Sequence, residues 1–296
     1  MKPVWDSASA LLMITGGLLG MIFPLGKVAG EAGVSPVIWS FVISFGVATT
    51  LFAVDAVRGG LRRPDAHRLR YFILAGTISY CIPNMIVFAA IPQLGAGFTA
   101  IMFTLSPVIT LCLSMLLKLR RPNGLGIAGI AVGFVGALLV ATTRGELGQP
   151  ASPLWIGLGL LIPVALASGN IYRTMDWPGH AGALELAYGS HFAAAVVLLM
   201  VGFWSPWGFD PSPLGVVPLE TLAQVLSSAG MFVFFFRLQV VGGPVYLSQM
   251  GYVAAAIGLV SGTLFLGEHY ALLTWIGAAI IAVGVAMTTR AQSRSA

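Results

Sequence analysis

Charge is what this sequence has least of. Ten Asp and Glu and fifteen Lys and Arg amount to 8% of 296 residues, against about a quarter in an ordinary globular domain. So few charges cannot wet a soluble surface of this size, which excludes a cytosolic enzyme and a secreted domain. Cysteine is nearly missing too. Cys81 and Cys112 both lie in apolar runs, so there is no disulfide framework, zinc spacing or C-x-x-C pair. No HExxH, GxSxG, Walker A or His/Asp cluster appears. Nothing therefore asks for a metal or a cofactor, and membrane protease, esterase and ATP-driven pump have no motif to stand on.

What remains is apolar, 57% of the residues. About 20 mostly apolar residues carry a helix across a bilayer core, and ten segments qualify: 8–29, 36–57, 70–91, 95–117, 122–143, 153–174, 183–204, 216–237, 243–266 and 270–289. Gly and Pro punctuate the separators. The third-to-fourth and eighth-to-ninth boundaries are the weakest. With ten spans both termini share a side. Thirteen of the fifteen basic residues gather there: Lys2, Arg58, Arg62, Arg63, Arg68, Arg70, Lys118, Arg120, Arg121, Arg173, Arg237, Arg290 and Arg294. Lys27 and Arg144 fall on the other side with Glu31, Glu146, Asp210, Glu220 and Glu268. The positive-inside rule makes the first side cytoplasmic, termini included. The net charge of +5 is thus topological, and nucleic acid is not expected as a partner.

The halves repeat at an offset of about 148 residues, with Gly95, Gly129 and Gly136 falling on Gly243, Gly277 and Gly284. Five is odd, so the second unit must enter the membrane upside down. Lys118, Arg120 and Arg121 follow the fourth segment, whereas Glu268 and His269 follow the ninth, its counterpart. The expected fold is an all-α membrane protein of ten transmembrane helices, two inverted five-helix repeats over 1–148 and 149–296. That architecture is characteristic of transporters with a site between the repeats.

Particular stretches carry a family likeness. GFTAIMFTLSP at Gly97 to Pro107, LFLGE at Leu264 to Glu268, and Gly20, Phe23 and Lys27 in GMIFPLGK, close to a W-G-x-x-F-x-x-x-K first-helix pattern, resemble the EamA-type drug/metabolite transporter superfamily over nearly the whole chain. The resemblance implies a polytopic bacterial inner-membrane carrier of small metabolites, often amino acids and their relatives, working by alternating access. A more particular likeness is to the superfamily's amino-acid exporters. Leu19 in place of the tryptophan, Arg120 in place of an acidic residue and Ala255 in place of a proline depart from the pattern.

Several polar residues have no business facing lipid. Thr99, Phe103, Ser106 and Thr110 form one stripe of the fourth helix, which Pro107 should kink. Lys27 ends a small-residue face of the first helix, where it can pair with Glu31, reach the headgroups, or meet a substrate carboxylate at the outer mouth. Tyr80 and Asn84 flank Pro83 on the third helix, and Tyr246, Gln249 and Tyr252 share a face of the ninth, with Tyr246 also suited to the interfacial belt. Gln224, Ser227, Ser228 and Asn170 read as hydrogen-bonding patches between helices. On the seventh helix Glu185 is close enough to the cytoplasm to be solvated, and His191 lies deeper. No Asp or Glu sits near the centre of any span.

Together these features predict a secondary transporter or facilitator for a small amino-acid-like solute, lined by the first, third, fourth, sixth, eighth and ninth helices. The Gly-rich fifth and tenth are expected to serve as scaffold or as a homodimer surface. The alternative is a membrane-embedded enzyme, with Glu185 and His191 or Glu268 and His269 as its acid–base pair, or a flippase for a lipid-linked substrate.

Overall fold

The computed structural model describes residues 7–119, 123–143, 152–205 and 208–293, and among these there is no β-strand. Each of the ten apolar segments is helical. Seven helices are long and apolar enough to cross a membrane: α1 (Ala8–Glu31), α2 (Pro36–Val57), α3 (Ala66–Leu94), α4 (Ala96–Leu116), α6 (Pro153–Met175), α7 (Ala183–Trp204) and α8 (Pro218–Ser248). Three further apolar helices are α5 (Gly124–Ala141), α9 (Met250–Phe265) and α10 (Leu272–Ser293). This is a multi-pass membrane protein. Lys2, Arg120, Arg121, Arg144, Glu146 and Arg294, which entered the charge count, lie outside the described residues.

The helix starts follow local chemistry. Ser35 and Ser152 cap helices whose first residue is Pro, and Asp65 and Asn123 accept from the backbone N–H three residues on, at 2.8 Å in both cases. The two weak boundaries are single glycines. Gly95 (φ 80°) separates α3 from α4, and Gly243 (φ 74°) breaks α8 just ahead of Pro244. Both hold a left-handed backbone that a side chain would strain. Pro107 kinks α4 as expected, with a 3-10 turn at Phe103–Leu105 before the helix resumes at Ser106.

Helices of the two halves pair across the molecule. α2 and α7, each 22 residues and starting at positions 36 and 183, pack together. α4 packs on α9, where the backbone oxygen of Phe103 lies 2.8 Å from where a Gly251 side chain would begin. α5 and α10 meet antiparallel through glycines. A methyl on Gly129 would sit 2.8 Å from the Gly284 carbonyl oxygen and one on Gly136 2.7 Å from that of Gly277; the reciprocal distances are 2.6 and 2.8 Å. Close carbonyl-to-backbone packing of this kind replaces the hydrophobic force that lipid cannot supply. Around this framework Met13, Phe45, Val135, Leu138, Met200 and Phe203 point outward.

Candidate functional site

A narrow cavity of about 50 Å³, room for a few water molecules, opens where α1, α2, α3, α4, α6, α8 and α9 converge. Its walls are mostly apolar, with Leu19, Ile43, Phe103, Phe232 and Phe235 among them, and its polar groups come from Ser79, Tyr80, Asn84, Asn170, Arg173 and Ser228. The expected six helices all contribute, joined by Ile43 of α2.

The local sequence aims these groups. Pro83 has no N–H to donate, and the turn before it widens into a π-helix at Thr77–Cys81 that carries Ser79 and Tyr80; such bulges often mark functional positions. The Tyr80 ring stacks on His191 at 4.1 Å, and His191 in turn meets the Phe232 edge-on at 4.1 Å. His191 is fully buried behind this wall, with neither ring nitrogen hydrogen-bonded.

Arg173 is the cavity's charge. It is 2% exposed, its Nε donates to Gln239 Oε1 at 3.0 Å and its Nη2 to Asn170 Oδ1 at 2.6 Å, and its guanidinium carbon lies 4.8 Å from the Phe235 ring centre. The sequence reading counted this arginine only as a topological marker. Its signal was position: two residues inside the end of α6 with Asn170 a turn earlier.

The structure brings Tyr80, Asn84 and Phe103 to the cavity and places the other candidates elsewhere. Lys27 pairs not with Glu31 but with Glu268, Nζ to Oε1 at 2.8 Å. Gln249 accepts from the Thr288 hydroxyl of α10 at 2.7 Å. Tyr252 lines a lateral apolar groove with Ile101 and Ile281. Tyr246 is buried instead of interfacial, its phenol 3.2 Å from Ser9 Oγ. Thr99 donates to its own Gly95 carbonyl at 2.8 Å, whereas Ser106 and Thr110 are buried without a partner. Glu185, expected in solvent, is buried and lies 3.1 Å from Arg68; a carboxylate in the first turn of α7 with a guanidinium across from it need not stay wet.

Ion pairs clasp both ends of the bundle. At one end Glu268, fully buried, accepts from Lys27, from the Tyr270 hydroxyl, and from the backbone N–H groups of Ala96 and Gly97 at 2.7 and 3.1 Å. Burial pushes its carboxyl up, but the bonds from Lys27, Tyr270, Ala96 and Gly97 outweigh this and hold it below its ordinary value near 4.5. Its place at the α4 N-terminus adds a favourable dipole. At the other end Asp176 takes Arg70 at 2.6 Å, His67 at 3.0 Å and the Tyr172 hydroxyl at 2.6 Å. Apart from the local Arg68–Asp65 contact, each of these ion pairs joins a residue before position 149 to one after it.

Comparison with known proteins agrees with this picture. Residues 7–142 match the EamA-like transporter family. The chain is 26% identical over 250 residues, 82% of its length and 81% of the other's, to a protein of Streptantibioticus cattleyicolor named "Probable terminal-alkyne amino-acid exporter". It is 27% identical over 222 residues, 72% and 70% of the two lengths, to Protein PecM of Dickeya dadantii. A solved crystal structure superposes with a TM-score of 0.68 at 18% identity, covering 96% of this chain and 98% of that one, which shows a shared fold.

Proposed function

We propose, on the match of residues 7–142 to the EamA-like transporter family, that the whole chain is an EamA-type secondary transporter or facilitator of ten spans, built as inverted five-helix repeats over 1–148 and 149–296. It moves a small amino-acid-like solute outward across a bacterial inner membrane, with both termini cytoplasmic. The observation that carries the reading is the cavity where helices of both halves converge, together with ion pairs at either end of the bundle that tie residues of one half to the other. Alternating access needs such clasps to break in turn, one per side.

The repeat reading draws support from the glycine contacts. Gly129 and Gly136 correspond to Gly277 and Gly284, and Gly129 meets Gly284 while Gly136 meets Gly277. A two-fold axis in the membrane plane requires that exchange. The left-handed glycines at 95 and 243 also stand 148 residues apart, as do Phe103 and Gly251, which touch. The export direction rests on the name of the Streptantibioticus relative. The acid–base pairs that an enzyme would need are otherwise engaged, Glu185 with Arg68 and Glu268 with Lys27.

Within the cavity Tyr80, Asn84, Phe103, Asn170 and Ser228 contact the solute, and His191 sets the Tyr80 ring. Lys27 serves the outer clasp, while Gln249, Tyr252, Tyr246, Thr99 and Ser106 support the α4 and α9 surfaces that must slide. Single-cysteine labelling in intact cells tests the topology. An impermeant maleimide should modify Ser212→Cys and spare Asp65→Cys; the opposite pattern would invert the protein.

A further inference from the structure

One charge in the cavity is not neutralised by the protein. Arg173 has five N–H donors on a planar fork; its two hydrogen bonds go to the neutral amides of Gln239 and Asn170, and its faces meet Phe235 and Tyr80. Among the described residues no carboxylate lies within ion-pair distance of it, since Asp176, three residues on, is held by Arg70, His67 and Tyr172.

The pseudo-symmetry makes this buried imbalance intelligible. Arg173 stands near the end of α6 as Lys27 stands near the end of α1. Lys27 has Glu268; the residue 148 positions before Glu268 is Arg120, so the second cation lacks the acid that the first one has. A buried ion without a counter-ion is costly, and its retention at a cavity points to a counter-ion that arrives with the solute. A second observation agrees: Ser79 Oγ and Tyr80 Oη, on residues that line the same cavity, are buried with no hydrogen-bond partner.

We propose that Arg173 is the anchor for a carboxylate on the solute. Among the described residues no acidic side chain lines the cavity to demand an ammonium, and most of the remaining wall is apolar and aromatic. The transported class is therefore apolar monocarboxylates, amino acids among them, recognised by the acid and the apolar body and not by the amine. This rests on the cavity being the transport site.

The test uses the purified full chain in detergent and four probes built on one six-carbon chain: norleucine, hexanoate, norleucine methyl ester and hexylamine. Ligand-induced thermal stabilisation reports binding. Norleucine and hexanoate should both bind, and the ester and amine should bind roughly 10- to 100-fold more weakly, as expected for one lost charged hydrogen-bond pair. Arg173→Met should erase that preference while melting no lower than the unsubstituted protein, because it removes an uncompensated buried charge. A purely structural bracket between α6 and α8 would instead melt lower and keep the preference. If Arg173→Met does not fold, Arg173→Lys takes its place: it should still prefer acid to ester but bind the acid more weakly, for want of the fork. Ester binding as tight as acid, or no binding of either acid, overturns the anchor. The transport reading fails separately, if the acids bind through Arg173 yet never cross reconstituted vesicles.

Discussion

Replacing Glu268 by Gln removes the charge from the Lys27–Glu268 clasp, which the proposed topology puts on the outer side, and leaves its size. The Lys27 ammonium, 17% exposed, then loses its counter-ion, and α4 loses an anion at its N-terminus. Breaking one partner of a buried pair costs about 3–5 kcal/mol. Lys27 retains some water, and Gln can still accept from Ala96 N, so about 2–3 kcal/mol is expected here. If the clasp exists only while the outer side is closed, that energy shifts the population toward the outward-open form by roughly 30- to 150-fold. The assay needs a protein with Cys81 and Cys112 replaced and a reporter at Ile91→Cys, a buried residue on the wall of the outer pocket. Impermeant maleimide should label it at least ten times faster in Glu268→Gln, by roughly the same population argument. Lys27→Met should do the same, and the double variant should add little, since both break one interaction. The clasp has a pH signature as well. A carboxyl held below its ordinary value contributes stability that is present above that value and is lost as pH falls through the folded-state value. Relative to an exposed control cysteine at the same pH, whose thiolate fraction sets the intrinsic rate, labelling should therefore stay slow down to and below pH 4.5, then rise. Unchanged labelling and an unchanged melting temperature in Glu268→Gln would refute the clasp.

Two further outcomes follow from the same geometry. Gly129→Val or Gly284→Val should prevent α5 and α10 from closing, because each side chain would begin within 2.8 Å of the facing carbonyl oxygen; a large fall in melting temperature is expected, with Gly157→Ala, which meets nothing within 4 Å, as the neutral control. Transport should run down the solute's own gradient with no imposed pH gradient, because the buried carboxylates Glu185 and Glu268 are engaged at the bundle's ends and, among the described residues, no Asp or Glu lies near the middle of a helix; strict dependence on a proton gradient that survives His191→Ala would expose an unrecognised coupling residue.

Helix positions were legible in the sequence because lipid imposes a length and a composition: segments 36–57 and 183–204 coincide with α2 and α7 to the residue. The glycine signal at 95 and 243 was legible for the same reason, since a left-handed turn admits little else. Tyr80, Asn84 and Phe103 were found because they are polar or aromatic beside Pro83 or on the stripe of a helix kinked by Pro107. The clasp was not legible. Lys27 and Glu268 are 241 residues apart, and no periodicity joins them. Arg173 was hidden by a rule that works well for its neighbours: basic residues at cytoplasmic helix ends are usually topological, and only packing reveals that this one turns inward. Gln249 and Tyr252 were read on one face of the ninth helix, but Gln249 sits at the junction of α8 and α9, where it meets Thr288 of α10, and Tyr252 faces a lateral groove instead of the central cavity.

Counterflow tests the central claim most directly. Vesicles containing the protein and loaded with unlabelled amino acids and their deaminated acids are diluted into a trace of the same compounds in labelled form. A carrier that exposes its cavity alternately to each side exchanges inner for outer solute, so label should accumulate transiently above its outside concentration, saturably, and far less with Arg173→Met. Label that merely equilibrates, at a rate linear in concentration and equal in protein-free vesicles, would contradict the account.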